Sequence, residues 1–317
     1  MTKDAAFYDR AIAQRRRHRV LWLGCLICPP AAIMVIFIFL PMASALLYSV
    51  YDWNGLVRGE FVGLENFRTV LLDPNRNWFV FNAFKNNVIV FVSLMIVQNG
   101  TALVIAFFLA REPKGVRVYQ VVFFLPVILS TVIIGFQWKM FLNPIFGLVN
   151  KALNAVGLDD WALPWLGLPE TALPALILVN AWAWVGFPAL VFLAAIHRIP
   201  KDLIEAARLD GASEWRIARD IIWPLMAPAV TIIVVLTFIG AFNWFELPFI
   251  MAGLEGPPAY STDMLGLLFY RTAFGSISAG GTEFGVGSAL AVLIFLFVFV
   301  VSILATWALT AREVEMG

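Results

Sequence analysis

Six apolar runs, each long enough to cross a bilayer as a helix, constrain this chain more than any other feature. A hydrocarbon core of about 30 Å takes roughly 20 helical residues. The runs cover residues 20–48, 86–110, 118–140, 172–196, 227–252 and 285–309. They are continuous rather than alternating, which argues against barrel strands. Hydrophobic residues make up 61% of the chain and charged residues 14%, where a soluble protein carries roughly 25% charged. A soluble domain could not hide that much apolar surface from water. Lipid is the solvent this composition suits; disorder, nucleic-acid binding and a secreted disulfide scaffold drop out. The expected fold class is an all-α integral membrane protein with six transmembrane helices. Tails at 1–19 and 311–317 flank a single transmembrane domain at 20–310.

Lysine and arginine set the orientation. With the N-terminus inside, the inner segments 1–20, 111–117, 197–220 and 310–317 hold 15 of the 22 basic residues. Both termini are therefore expected in the cytoplasm. The basic run from Arg15 to Arg19 precedes an apolar stretch too long for a signal peptide and without a small-residue cleavage site, so the first helix is expected to stay uncleaved. Pro29, Pro30 and Pro41 should kink or break it, as membrane helices tolerate. Trp53, Trp78, Trp161 and Trp165 in the outer loops suit an interfacial belt. Cys25 and Cys28 lie in an apolar run without His, Asp or Glu nearby. They read as small packing residues, not as a metal site, since zinc takes four ligands.

The segment from His197 to Pro224 is long for a helix connection. Pro200 with Asp202 opens a helix, and Gly211 permits the left-handed turn that ends it. Ser213 is placed to cap a second helix with Glu214 in its first turn. Trp215, Ala218, Ile221 and Ile222 continue at helical spacing until Pro224 closes the element. Asp210 has Arg208, Arg216 and Arg219 as possible partners, and solvated pairs of this kind are worth little. Two readings stay open on physics alone. One is a docking element for a groove on a partner; the other is an amphipathic pair resting on lipid.

Glu205-Ala206-Ala207, Gly211 three residues later, then Ile221 and Pro224, resemble the EAA loop of bacterial ABC importer permeases. The spacing matches throughout, with Trp223 where that family usually has Leu. Val179-Asn180, Gly186-Phe187-Pro188 and Ile199-Pro200 resemble the approach to this loop in maltose-type permeases. Phe242-Asn243, Gly256-Pro257, Ser261-Thr262 and Gly287-Ser288-Ala289 resemble the segments after it, and Phe61 to Phe67 resemble the outer loop after span one. The likeness covers most of the chain. It is nearest the type of the larger maltose permease subunit, whose extra N-terminal helices and large periplasmic insert have no match here.

The resemblance implies a bacterial inner-membrane permease subunit forming half of an alternating-access pathway with a second, homologous permease. It also implies two copies of a cytoplasmic ABC ATPase and an extracytoplasmic solute-binding protein. ATP and Mg would be used by that ATPase; this chain has no phosphate-binding loop of its own. It is therefore expected to be non-catalytic, to bind no cofactor and to contact lipid but no nucleic acid. Coupling to the ATPase falls on the loop at 197–226, with Glu205, Ala206, Ala207, Asp210 and Gly211 as its core. Glu205 would accept from basic groups in the ATPase groove or stabilise its own helix.

A sugar site needs polar groups for hydroxyls and aromatic faces for ring C–H surfaces. Gln98, Asn99, Gln137, Asn180, Asn243 and Glu246 are the polar residues that stand out in the runs. Glu246 is the one acidic residue expected inside a span, where ionisable groups are functional candidates, one turn after Asn243 on the same helix face. By the resemblance the sugar-contacting positions are Gly186 and Asn243, with Trp182 and Glu246 as neighbours and Trp184 as a further stacking face. Polar residues of this kind also bond across helices without any ligand. The remaining alternatives are an importer of another solute, such as a phosphorylated polyol, a stand-alone secondary transporter, and a scaffold without transport. No convincing internal repeat supports the secondary transporter.

Overall fold

The computed structural model describes residues 22–55, 57–275 and 281–311. The basic run 15–19, the first residues of span one and the tail 312–317 lie outside the described residues. The architecture is helical, with one short hairpin. Helix α1 spans Trp22–Tyr48. Strands β1 (Tyr51–Trp53) and β2 (Arg58–Phe61) pair antiparallel and lead to α2 (Glu65–Leu72). Helix α3 runs Asn77–Ala110, followed by α4 (Val116–Ile128) and α5 (Thr131–Phe141). A connecting helix α6 (Leu148–Ala155) precedes α7 (Pro169–Trp184) and α8 (Gly186–His197). The loop helices are α9 (Lys201–Leu209) and α10 (Glu214–Leu225), which enters α11 (Ala227–Phe242). Helices α12 (Glu246–Met251), α13 (Leu265–Phe274) and α14 (Phe284–Thr310) complete the chain.

Among the described residues, three helices are long and apolar enough to cross a membrane unaided: α1, α3 and α14. Three further spans are bent pairs, α4/α5 by 95°, α7/α8 by 46° and α10/α11 by 69°. The runs at 118–140 and 172–196 are therefore each two helices, and the run at 227–252 is divided after Phe242. Span three breaks at Leu129, and the Ser130 hydroxyl accepts from the Val132 amide to cap α5. Span four bends where Pro188 removes the amide that would bond Trp184. Span five ends at Phe242, with Pro248 four residues beyond Trp244 preventing its simple continuation. Conversely, α1 is not broken by its prolines. A π turn at Val35–Phe39 lies just ahead of Pro41, and such turns absorb a missing backbone bond.

Span two starts earlier than its apolar run, at Asn77, and Asn82, Asn86 and Asn87 in the added turns bond to the segment at 260–265. At 34 residues it is about 50 Å long. From Trp22 to Ala43 every residue of α1 except Gly24 is exposed. Such a surface is stable in hydrocarbon, since every helical backbone group is bonded internally.

Packing inside the bundle relies on small residues, as expected where lipid supplies no hydrophobic drive between helices. Ala102 and Ala106 of α3 and Ala189 of α8 share one buried cluster with Ile196, Ile217, Met226 and Ile233 at the loop end. A Cβ on Gly186 would stand 2.3 Å from the Phe123 carbonyl oxygen, so only glycine lets α8 start this close to α4. A central cluster joins Leu176, Ala183, Ala241 and Leu247; a third, at the hairpin end, joins Ala83, Phe238, Phe242 and Leu290.

The hairpin end is held by polar clamps. Asn87, fully buried, donates to the Ala241 carbonyl (2.6 Å) and accepts from the Leu265 amide (3.0 Å). Asn86 donates to the Asp263 carbonyl at 2.9 Å. Arg271 grips the Asp263 carboxylate with two bonds of 2.7 and 2.6 Å, both side chains buried. Burial pushes the Asp263 carboxyl above its ordinary value, against the pull of the guanidinium. Trp165 braces the connecting segment, its indole donating to Asn150 Oδ1 at 2.7 Å.

Candidate functional site

Two surfaces carry the residues singled out in the sequence. The first is a cleft of about 620 Å³ bordered by α3, α5, α7, α8, α11 and α12. Its walls include Gln98, Asn99, Asn180, Trp184, Asn243 and Glu246, drawn from four separate helices or their ends. Asn180 donates to Gln98 Oε1 at 3.1 Å, and Asn99 donates to Thr237 Oγ1 at 2.9 Å. These bonds tie α3 to α7 and to α11, so the polar wall is braced before any ligand arrives. Asn243 ends α11, and its amide nitrogen donates to the Ile239 carbonyl (3.0 Å). The Asn243 carbonyl oxygen is thereby left to accept from a ligand.

The structure separates Asn243 from Glu246. They are not one turn apart on a shared face: α11 stops at Phe242, the three residues Asn243 to Phe245 are non-helical, and Glu246 is the first residue of α12. Both are exposed, and both still line the cleft because the chain turns at its rim. Glu246 is therefore at a helix break rather than inside span five. Gly186 and Trp182 do not line the cleft. Gly186 is buried against α4, while its neighbours Phe187 and Pro188 form the wall. Trp182 turns to Trp138, ring centroids 5.4 Å apart, and Trp184 two residues on faces the cleft instead. Gln137 is exposed on α5 outside this lining.

Thr131, Thr237, Gly240 and Phe245 also line the cleft and were not among the candidates. Thr237, Gly240 and Asn243 recur every three residues, so helical periodicity along α11 could have found two of them. Among the described residues no three His, Cys, Asp or Glu side chains are placed to share a metal ion.

The second surface is the loop α9–α10. Ile204, Ala207 and Ala212 turn inward against the loop-end cluster, and Ile217 and Ile222 are buried in it. The opposite side presents Glu205, Ala206, Leu209 and Asp210, all exposed. Leu209 is 89% exposed and Trp215 is 74% exposed. Between the helices Gly211 has φ of +79°, a conformation that costs an L side chain roughly 1–2 kcal/mol. The Ser213 hydroxyl accepts from the Arg216 amide (3.3 Å), capping α10. Arg208 pairs with Glu214 at 3.1 Å across the turn, and Arg219 pairs with Asp220, so neither pairs with Asp210. Pro224 does not close α10, which continues to Leu225 before bending into α11. Its ring falls near the π turn at Ala218–Ile222, where the ladder is already open.

Residues 102–311 match the family described as binding-protein-dependent transport system inner membrane component. A probable starch degradation products transport system permease of Thermoanaerobacterium thermosulfurigenes is 30% identical over 100% of both chains. The trehalose/maltose transport system permease of Thermococcus litoralis is 30% identical over 92% of this chain and 94% of its own. Among solved structures, a chain of a bacterial ABC transporter involved in alginate import superposes with a TM-score of 0.78 at 24% identity, covering 95% of this chain and 99% of that one. That likeness establishes the fold. From the family match and the full-length relatives, the chain belongs to the binding-protein-dependent transport system inner-membrane components, the permeases of ABC importers.

Proposed function

We propose that this chain is one of two permease subunits of an ATP-driven importer for a neutral sugar: a di- or oligosaccharide, a glycoside or a polyol. The observation that carries the solute class is the cleft lining, which combines four amides, one carboxylate and aromatic faces with no basic side chain. Amides and a carboxylate suit sugar hydroxyls, which both donate and accept. A phosphorylated polyol would want basic groups there, so the neutral solute is favoured. The relatives' names point the same way, with starch degradation products, trehalose/maltose and diacetylchitobiose among their cargoes.

The loop at 197–226 lies in the cytoplasm in this reading, as do both termini, and docks on a separate ABC ATPase. Support comes from its geometry: one side is anchored in the bundle, and the other exposes Glu205, Ala206, Leu209 and Asp210 with Trp215. Closure of two ATPase copies would move α9, and its inward residues would carry the motion to α8 and α11. An extracytoplasmic binding protein would deliver the solute at the hairpin end. The test is uptake of radiolabelled maltose, trehalose, diacetylchitobiose and glycerol 3-phosphate by cells producing the complete importer. ATP-dependent uptake of a neutral sugar, and not of the phosphate ester, is expected. Uptake of glycerol 3-phosphate alone would refute the solute class.

A further inference from the structure

A connected file of six aromatic rings leads from the cleft to the hairpin, starting at Phe245 on the edge of the central cluster. Phe245, which lines the cleft, stands 5.4 Å from Tyr270, centroid to centroid. Tyr270 lies 5.0 Å from Phe274, and Phe274 lies 5.8 Å from Phe284. Phe284 is 5.6 Å from Tyr48, which is 4.4 Å from Trp53 on β1. The file crosses five elements or their junctions, α12, α13, α14, α1 and β1.

None of the six rings is buried. This sets the file apart from the other large aromatic cluster, in which Phe238 and Phe242 sit in the core. Its rings touch one another at a surface, with Phe274 53% exposed. A second cavity, of about 420 Å³, is lined by Tyr270 and shares Asn243 and Phe245 with the cleft. The file therefore opens directly onto the amide-bearing wall. Its far end reaches the hairpin, the end opposite the coupling loop.

We infer that this file is a sugar-guiding track, on whose ring faces the hexose rings of the imported solute ride between the hairpin end and the cleft. The inference rests on the proposed sugar-import function. The physical basis is that a hexose ring has one face of C–H groups, which an aromatic face covers without demanding hydrogen bonds. Overlapping rings spaced about a ring width apart let a saccharide advance without first losing all its contacts. Weak, repeated contacts are what conduction requires, since tight sites would hold the solute. Tyr270 adds the single hydroxyl among the rings that stand between the cleft and Phe284.

The test uses the complete importer, with ATPase and binding protein, in proteoliposomes, with Cys25 and Cys28 replaced by serine. Phe274→Cys is treated with a cationic, membrane-impermeant methanethiosulfonate, with and without whichever of maltose, trehalose or diacetylchitobiose the wild type transports. Labelling is expected, slowed about tenfold when sugar is present at ten times its half-saturating concentration. In parallel, Tyr270→Phe is expected to retain uptake, and Tyr270→Leu to lose about two- to tenfold, the range an aromatic face contact carries. Labelling unaffected by a sugar that is taken up, or full uptake by Tyr270→Leu, overturns the track and leaves the proposed function standing. No labelling in either condition means that lipid or the second permease covers the rings, which also overturns it. Failure of the wild type to import any of the sugars overturns the function and the track together.

Discussion

Replacing Gly186 by alanine tests the closest helix approach around the cleft, and the sign of its effect is the informative quantity. In an isolated helix glycine is about 1 kcal/mol worse than alanine, so the substitution would stabilise. Here the added Cβ would meet the Phe123 carbonyl oxygen at 2.3 Å and the Phe124 Cα at 2.9 Å, both main-chain atoms that cannot rotate away. Ordinary contact begins near 3.4 Å, so α8 must withdraw from α4 by about 1 Å. Overpacking of this kind costs about 1–3 kcal/mol. Gly186 opens α8 at the bend, where the propensity gain is smaller than mid-helix, leaving a net loss of about 1–2 kcal/mol. Chains of about 150–250 residues lose roughly 2–4 °C per kcal/mol, which places the expected fall in the unfolding midpoint at about 2–8 °C. The assay is thermal unfolding of the detergent-purified complex, followed by loss of the monodisperse peak in size exclusion. Gly100→Ala is the control, because a Cβ there meets nothing within 4 Å; it should melt at or above the wild type. If Gly186→Ala also melts at or above the wild type, the close approach is not what requires glycine and the reasoning fails.

Three further outcomes follow from other parts of the structure. Arg271→Leu leaves the Asp263 carboxylate buried without its two bonds, a loss of about 3–5 kcal/mol, whereas Arg271→Leu combined with Asp263→Leu should recover part of it. Thermal unfolding reads both, and equal losses would refute the pairing argument. Gly211→Ile places a β-branched side chain at φ of +79° and should separate transport from ATP hydrolysis, with uptake reduced at least about tenfold by the misplaced loop. Wild-type uptake and ATPase rates in that variant would remove the turn from the coupling account. Asn243→Ala with Glu246→Gln should raise the half-saturating sugar concentration by about tenfold or more, the equivalent of about 1.4 kcal/mol. Unchanged affinity in that double variant would take both residues out of the pathway.

The loop at 197–226 was the more legible of the two candidate surfaces. Gly211 and Ser213 act locally: a positive φ and a cap depend on residues within one turn, so sequence spacing alone located them. The ion pairs around the turn were less legible, because Arg208 chose Glu214 over Asp210 by side-chain reach across a corner. In the cleft, Gln98, Asn99, Asn180, Asn243 and Glu246 stood out as polar groups in apolar runs, and the structure brings all five to one wall. Gln137, Trp182 and Gly186 did not join them. Which of Trp182 and Trp184 faces the cleft is a matter of helix rotation against neighbours, and that has no local signature in a helix apolar on every side.

The long apolar runs by themselves determined that the chain lives in lipid, because no aqueous fold could cover so much hydrocarbon. The gapped pattern from Glu205 to Pro224 by itself marked the family. Only the tertiary structure decided where the helices bend. Pro29, Pro30 and Pro41 leave α1 unbroken, whereas a leucine at 129 before Ser130 turns span three by 95°. In a bilayer a missing backbone bond is tolerable wherever a π turn, a cap or a packed neighbour makes good the loss. The site of a bend therefore depends on what stands beside the helix. The same reason moved Glu246 from within span five to the first turn of a new helix at the rim of the cleft.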